Sequence, residues 1–374
     1  MLKKYINSER NFGLDFLRFY AIISVVYGHG SWLFKHIPIL ENSSLFFFID
    51  GVELFFVLSG FLIGGILLKK FANSNINIVF NFYKNRWFRT LPNYYLFLLI
   101  NILLSFFLFE GVSGETSKYF FFTQNFFFHS NSEEFFGESW SIAVEEWFYL
   151  LCPLVIIILS FFKIKNRVLV SAIIFLLSSL ILKYIQFCAV NYNPKNYDIL
   201  IRKVTILRMD SIAIGLILAW IKFKFHDLFT KFNFKYICLI LALIFLMSRL
   251  AFSSVMNDFS LWGSVVFKDT FNSVAIAMIF PFFYSLKYNF DTNIFTKIIT
   301  WVSLISYSMY LVHYSIITQT IKVFFWPDNG YMSIFLFVIY FLLTLVISSL
   351  NYIFFETKIT KLRDKINFRL NKLA

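Results

Sequence analysis

Arg18 and His29 stand eleven positions apart in FLRFYAIISVVYGHGSW, a stretch otherwise apolar enough to lie in a membrane. On a helix, eleven steps of about 100° return to within about 20° of the start, so the two side chains share a face. They are separated by roughly 16 Å along the axis, at 1.5 Å per residue. Asp15, three residues before Arg18, is placed to pair with it. Ionisable side chains are costly in lipid, which makes this face a candidate functional site. Arginine offers a forked donor for phosphate or carboxylate. Histidine can take a proton from a hydroxyl or carry a transferred group itself. The plainer readings are an Arg18 that snorkels to the headgroups and a His29 hydrogen-bonded within the core.

Further ionisable residues punctuate the other apolar runs. GVELFFVLSGFLIGG carries Glu53 near one end, with small residues at Ser59, Gly60, Gly64 and Gly65 that suit close helix approach. FYKNRWFRTLPNYY sets Arg86 and Arg89 three apart, with Pro92 expected in the first turn of the helix that follows. Arginines are ordinary at a cytoplasmic membrane edge, and they are also what a phosphate-rich ligand requires. In ESWSIAVEEWFYLLCP, Ser141, Glu145 and Tyr149 recur every four residues on one face. Glu146 lies about 100° away, and Glu138 suits the helix N-terminus. A buried carboxylate of this kind can orient a histidine. RMDSIAIG places Arg208 and Asp210 inside a span, where they could neutralise each other. SYSMYLVHYSI places His313 between Tyr310 and Tyr314, and NYIFFET ends on Glu356. Each of these reads as structural when taken alone. Cys152, Cys188 and Cys238 have no metal-site spacing and read as small packing residues, so no metal is expected.

The elements that must position these groups follow from composition. Of 374 residues, 59% are hydrophobic, 22% aromatic and 15% charged. Soluble domains are nearer half apolar and a quarter charged. The chain therefore reads as an all-α polytopic membrane protein. Ten stretches are candidate transmembrane helices: about 14–34, 49–68, 91–109, 140–162, 168–190, 205–221, 236–253, 262–286, 300–325 and 331–355. Basic residues fall in alternate connections: Lys69 to Arg89, Lys163 to Arg167, Lys222 to Lys235, and the tail from Lys358. The segment between the third and fourth spans holds Glu110, Glu115, Glu133, Glu134 and Glu138 against one Lys118. The positive-inside rule then puts both termini in the cytoplasm. The pair Arg202 and Lys203, with Lys195, fits that alternation least well. The same placement argues against nucleic-acid binding despite a net charge of +13. The N-terminal span lacks a small-residue cleavage site and reads as retained. The expected organisation is one membrane-embedded domain over 1–374. Residues 356–374 would form a basic cytoplasmic tail, solvated or resting on anionic lipid.

Taken in order, these segments resemble the integral-membrane acyltransferase family three, the group of bacterial O-antigen and exopolysaccharide O-acetyltransferases. The resemblance implies a ten-helix core in the bacterial cytoplasmic membrane. It implies transfer of an acyl group, acetyl first of all, from cytoplasmic acyl-CoA to a hydroxyl of a surface glycan or lipid-linked oligosaccharide. CoA thioester would be a co-substrate, with no tightly bound cofactor. Arg18 and His29 match the family's Arg/His pair, Arg86 and Arg89 its basic motif, Glu145 and Glu146 its paired carboxylates, and Arg208 and Asp210 a later charged motif. The chain departs at Glu53, where Asp is usual, at Trp147, where Gln is frequent, and at Val312 and Ser315, where Trp and Pro flank His313. No fused extracytoplasmic hydrolase-like domain is expected. On this reading the arginines hold CoA phosphates. His29 is either the base for the acceptor hydroxyl or the acyl carrier, and Glu145 or Glu146 orients it or holds the acceptor. The alternative reading is a proton-coupled transporter or flippase, since intramembrane Arg, His and Glu also relay protons. Inverted repeats with broken helices would favour it, and none is visible.

Overall fold

Short polar side chains start several of the helices that the apolar runs then continue. Asn11 accepts from the amide of Leu14 at 3.1 Å, Asn293 from Phe295 at 2.9 Å and Asn329 from Met332 at 2.9 Å. Asp50 accepts from Val52 at 2.8 Å and Glu53 at 3.3 Å. Each satisfies a first-turn donor that has no partner inside its helix.

The computed structural model describes residues 10–42, 47, 49–71, 76–108, 111, 114–127, 135–190, 192, 196–251, 262–286 and 293–364. The regular elements among them are all helical. The long ones are α1 (Phe12–Gly30), α2 (Gly51–Lys70), α3 (Ile76–Leu108), α4 (Ser139–Phe161) and α5 (Arg167–Ala189). They continue with α6 (Met209–Lys224), α7 (Phe232–Ala251), α8 (Trp262–Tyr284), α9 (Ile294–Val312) and α10 (Gly330–Asn351). Each of the ten predicted stretches overlaps one of these. Among the described residues, seven helices are long and apolar enough to cross a membrane, and α1, α6 and α7 fall outside that set. The chain is a multi-pass membrane protein. Its outer surface is apolar to match, with Phe107, Phe161, Ile181 and Ile244 all exposed.

Three boundaries differ from expectation for local reasons. The basic stretch before the third span is not a loop: α3 runs unbroken from Ile76 through Arg86, Arg89 and Pro92. Pro92 is therefore an interior residue, not a first-turn one. The sixth span is shorter than read, because Thr205–Leu207 form a 3-10 turn and α6 begins only at Met209. Arg208 and Asp210 accordingly mark a helix start. The last helix does not stop at Phe355 but runs on through a π turn at Tyr352–Glu356 to Asp364. Glu110, Glu133, Glu134 and Lys195, and the tail past Asp364, lie outside the described residues.

α2 packs closely on α6. A Cβ on Gly60 would sit 2.0 Å from the Ile212 carbonyl oxygen, and one on Gly215 would sit 2.1 Å from that of Val57. Only glycine permits that approach. Gly64 packs likewise on Ala219 and Leu216, whereas Gly65 faces open space. Around this pair α1, α3, α4, α5, α8 and α9 carry the other ionisable residues of the core. α9 carries its own irregularity: at His313 it widens into a π turn, His313–Thr318, before resuming as Gln319–Phe324. Such turns are rare and frequent at functional sites.

Candidate active site

The ionisable residues fall into three groups. The first surrounds a cavity of about 140 Å³ between α1, α2, α3, α4 and α9. Arg18, Arg86 and Arg89 line it, with Ser59, Ser141, Glu145, Tyr307 and Tyr310. Arg86 lies over the Tyr149 ring at 3.9 Å. Its Nη2 is 3.4 Å from Glu145 Oε2. Glu145 also accepts from Ser59 Oγ at 2.7 Å and Tyr149 OH at 2.9 Å. Ser59 is therefore a polar partner, not a packing residue. Arg18 Nη1 reaches both Asp15 Oδ1 and Ser303 Oγ, each at 3.4 Å. Those are long contacts. Asp15 is held more closely by Arg10, which donates through Nε at 2.9 Å, and by Ser303 Oγ at 2.7 Å. Arg89 forms no ion pair with any described residue. Three guanidiniums and one carboxylate, Glu145, line the cavity, with Asp15 beside Arg18, which leaves the lining net cationic, a setting for an anionic ligand.

The second group centres on His29. Its Nδ1 lies 2.7 Å from Nε2 of His313, and Tyr314 packs on its ring at 4.7 Å between centroids. His313 is fully buried. Its Nδ1 faces the carbonyl oxygens of Tyr310, at 2.8 Å, and Met309, at 3.1 Å. Carbonyl oxygens only accept, so that nitrogen carries a proton. In the neutral pair, His313 Nε2 must then accept from His29 Nδ1–H. This leaves His29 Nε2 with a free lone pair, oriented as a base by its partner. The π turn that starts at His313 gives the ring its place on α9.

His29 opens on a second cavity, of about 110 Å³, lined by Glu138, Trp140, Asp198, Arg202, Lys203 and Tyr314 among others. Arg202 donates to Asp50 at 2.7 Å, lies 3.4 Å from Asp198 and sits 5.6 Å from the Trp140 ring centre. Burial opposes its charge, but Asp50 and then Asp198 outweigh it and hold the guanidinium above its ordinary pKa. Glu138 accepts from Ser315 Oγ at 2.7 Å and from the Ser315 amide at 3.3 Å. The serine at a position where the resembled family has proline thus supplies two donors to a buried carboxylate. Ser141 and Tyr310, both lining the first cavity, share a 2.5 Å hydroxyl contact, and Tyr310 OH also donates to the carbonyl oxygen of Glu138 at 3.1 Å. Val52 lines both cavities, and no other described residue does.

The third group is a buried ionic network between α2, α5, α6 and α8. Arg208 pairs with both Glu53 and Asp269. Lys183 pairs with Asp210 at 2.7 Å, and Thr270 also donates to Asp210. Ser211 and Ser273 each donate to Glu53 at 2.9 Å. Arg208 and Asp210 thus have separate partners instead of neutralising each other.

The structure therefore brings Arg18, Arg86, Arg89, Ser141 and Glu145 to one cavity and His29 to the other, with His313 behind it. Tyr149 stands behind Glu145. Glu146 is buried, with the Arg86 charge close by. Glu53, Arg208 and Asp210 belong to the network. Sequence reasoning passed over Arg10, Asp50, Lys183 and Asp269. Lys183 and Asp269 carried the same signal as Arg18, a charge within an apolar run. Among the described residues no cluster of His, Cys, Asp or Glu could hold a metal ion.

A family model described as an acyltransferase domain matches residues 11–352. O-acetyltransferase OatA of Staphylococcus aureus is 26% identical to this chain, over 93% of it and 57% of that protein. Putative peptidoglycan O-acetyltransferase YrhL of Bacillus subtilis is 28% identical, over 93% of this chain and 54% of that protein. Peptidoglycan O-acetyltransferase OatA of Listeria monocytogenes is 25% identical, over 96% and 56%. The chain thus spans a little over half the length of these curated relatives. No solved structure matches it.

Proposed function

Because this chain belongs to the acyltransferase-domain family, we propose that it transfers an acetyl group from acetyl-CoA to a hydroxyl of an envelope glycan of the peptidoglycan type. The relatives' names supply the acetyl group and the glycan class. The observation that carries the reading is the His29–His313 contact, set beside a cavity with three arginines. Arg18, Arg86 and Arg89 would hold the phosphates and polar arm of the donor, reached from the cytoplasm, and Glu145 would keep Arg86 in place. The acceptor hydroxyl would approach His29 Nε2 from the second cavity. As the hydroxyl oxygen bonds to the thioester carbon, its proton passes to Nε2. The carbon–sulfur bond then breaks, and the proton returns from Nε2 to the departing thiolate. The protein would work in the bacterial cytoplasmic membrane, joining a cytoplasmic donor to an outward-facing acceptor.

The test is label transfer. Membrane vesicles carrying the chain, given acetyl-CoA labelled in the acetyl group, should form alkali-labile label on the glycan, read by mass spectrometry. Vesicles without the chain should not. Equal labelling in both would overturn the proposal. The donor arm makes a sharper prediction. Arg89→Ala should raise the KM for acetyl-CoA about 10-fold or more with little change in kcat, the scale of one lost charge-assisted contact. Arg89→Lys should recover only part of it. An unchanged KM in Arg89→Ala would remove that residue from donor binding.

A further inference from the structure

Val52 is in the first turn of α2, and its side chain lines both the arginine cavity and the His29 cavity. It is held there from two directions. Its amide donates to Asp50 Oδ1 at 2.8 Å, and the other oxygen of Asp50 accepts from Arg202 at 2.7 Å. Beside it, a Cβ on Gly51 would lie 2.4 Å from the Ala21 carbonyl oxygen and 2.8 Å from Val25 Cγ2. The start of α2 is therefore pressed against α1 at Ala21 and Val25. Those two positions fall between Arg18 and His29. Sequence order and cavity lining agree: Val52 stands at the level where the donor end meets the basic end.

The reaction proposed above places its own demand on that level. The anionic part of the donor is held by arginines in one cavity, and the lone pair of His29 opens on the other. The thioester carbon has to meet a hydroxyl bound to Nε2, so the acyl group must lie at the boundary. A β-branched side chain on a helix is close to a single rotamer, so this wall is stiff. We propose that Val52 is the acyl-chain selectivity residue, its isopropyl group closing the space beyond a two-carbon acyl group. This rests on the acyl-CoA reading. The size of the effect follows from what one methylene is worth in an apolar pocket, roughly 10–200-fold.

The experiment compares labelled acetyl-, propionyl- and butyryl-CoA as donors in membrane vesicles, with label counted in the glycan. The wild-type chain should favour acetyl. Val52→Ala should raise the butyryl-to-acetyl rate ratio about 10-fold or more, while Val52→Ile should lower the propionyl-to-acetyl ratio. Ratios unchanged from wild type in Val52→Ala overturn the proposal while leaving the donor reading intact. Should Val52→Ala transfer nothing, Val52→Ile decides, because it stays apolar and β-branched: an unmoved propionyl ratio there also overturns it. If the wild-type chain uses none of the three thioesters, the donor reading falls and Val52 with it. The three results are distinguishable in one set of vesicles.

Discussion

Replacing His29 with glutamine should leave the protein folded in the membrane and cut glycan acylation by about 10²–10⁴-fold, the usual contribution of a general base. Glutamine keeps a donor near His313 Nε2, so the 2.7 Å contact has a substitute. What it removes is the lone pair that the His29–His313 arrangement leaves facing the second cavity. The affinity for acetyl-CoA should hold, because the arginines proposed to hold the donor line the other cavity. Loss of donor affinity in parallel with rate would mean that His29 serves the donor site instead. His313 is a positioning residue in the same scheme. His313→Gln should lower kcat less than His29→Gln does and leave KM for the donor in place. If His29 carries the acyl group instead of a proton, labelled donor without acceptor should leave label on the protein, absent in His29→Gln. Trapping that species would replace direct transfer with a two-step route. Full acylation by His29→Gln would end both versions.

The face shared by Arg18 and His29 was legible from spacing alone, since an eleven-residue interval on a helix can mean little else. So was the helical class, and each expected stretch overlaps a long helix although several ends differ, because apolar runs of this length have few other outcomes. What spacing could not supply was the partner across the bundle. Glu145 and Glu146 suggested themselves as partners for His29 by chemistry, yet the neighbour that touches it is His313, nearly 300 residues away in the chain. Nothing local in SYSMYLVHYSI shows which way that ring points, and the π turn that sets it has no sequence signature here. Arg208 and Asp210 misled for a related reason. Two opposite charges two residues apart on a helix do not face each other, and each found its partner on another helix. Basic residues around Arg86 read as a loop because charge suggested an edge, whereas the cavity they line lets α3 continue through them. The family resemblance and the structure meet on one point that transport would not need: a cationic cavity placed beside a histidine whose lone pair is kept free.

Replacing Arg208 with methionine should cost the protein its fold, and restoring charge balance should return it. Arg208 is fully buried and pairs with both Glu53 and Asp269. Neither carboxylate has another cation in direct contact among the described residues, although Ser211 and Ser273 reach Glu53 and Tyr197 reaches Asp269 at 3.0 Å. Removing one partner of a buried pair costs about 3–5 kcal/mol, because the other charge is left without compensation. Here two charges are stranded, against a total stability of about 5–15 kcal/mol for a typical domain. The same accounting predicts the rescue. Arg208→Met combined with Glu53→Gln and Asp269→Asn removes one cation and two anions and leaves Lys183–Asp210 as an intact pair. Gln and Asn can still accept from the same hydroxyls. Thermal aggregation in detergent, followed by size-exclusion chromatography, should show the single variant lost near ambient temperature and the triple variant recovered most of the way to wild type. A single variant as stable as wild type would mean that the network is not what holds α2, α6 and α8 together. A triple variant no better than the single would shift the cause from stranded charge to the lost volume of the arginine. Because none of the three residues lines either cavity, the rescued protein should also transfer acetyl, which separates this network from the chemistry it supports.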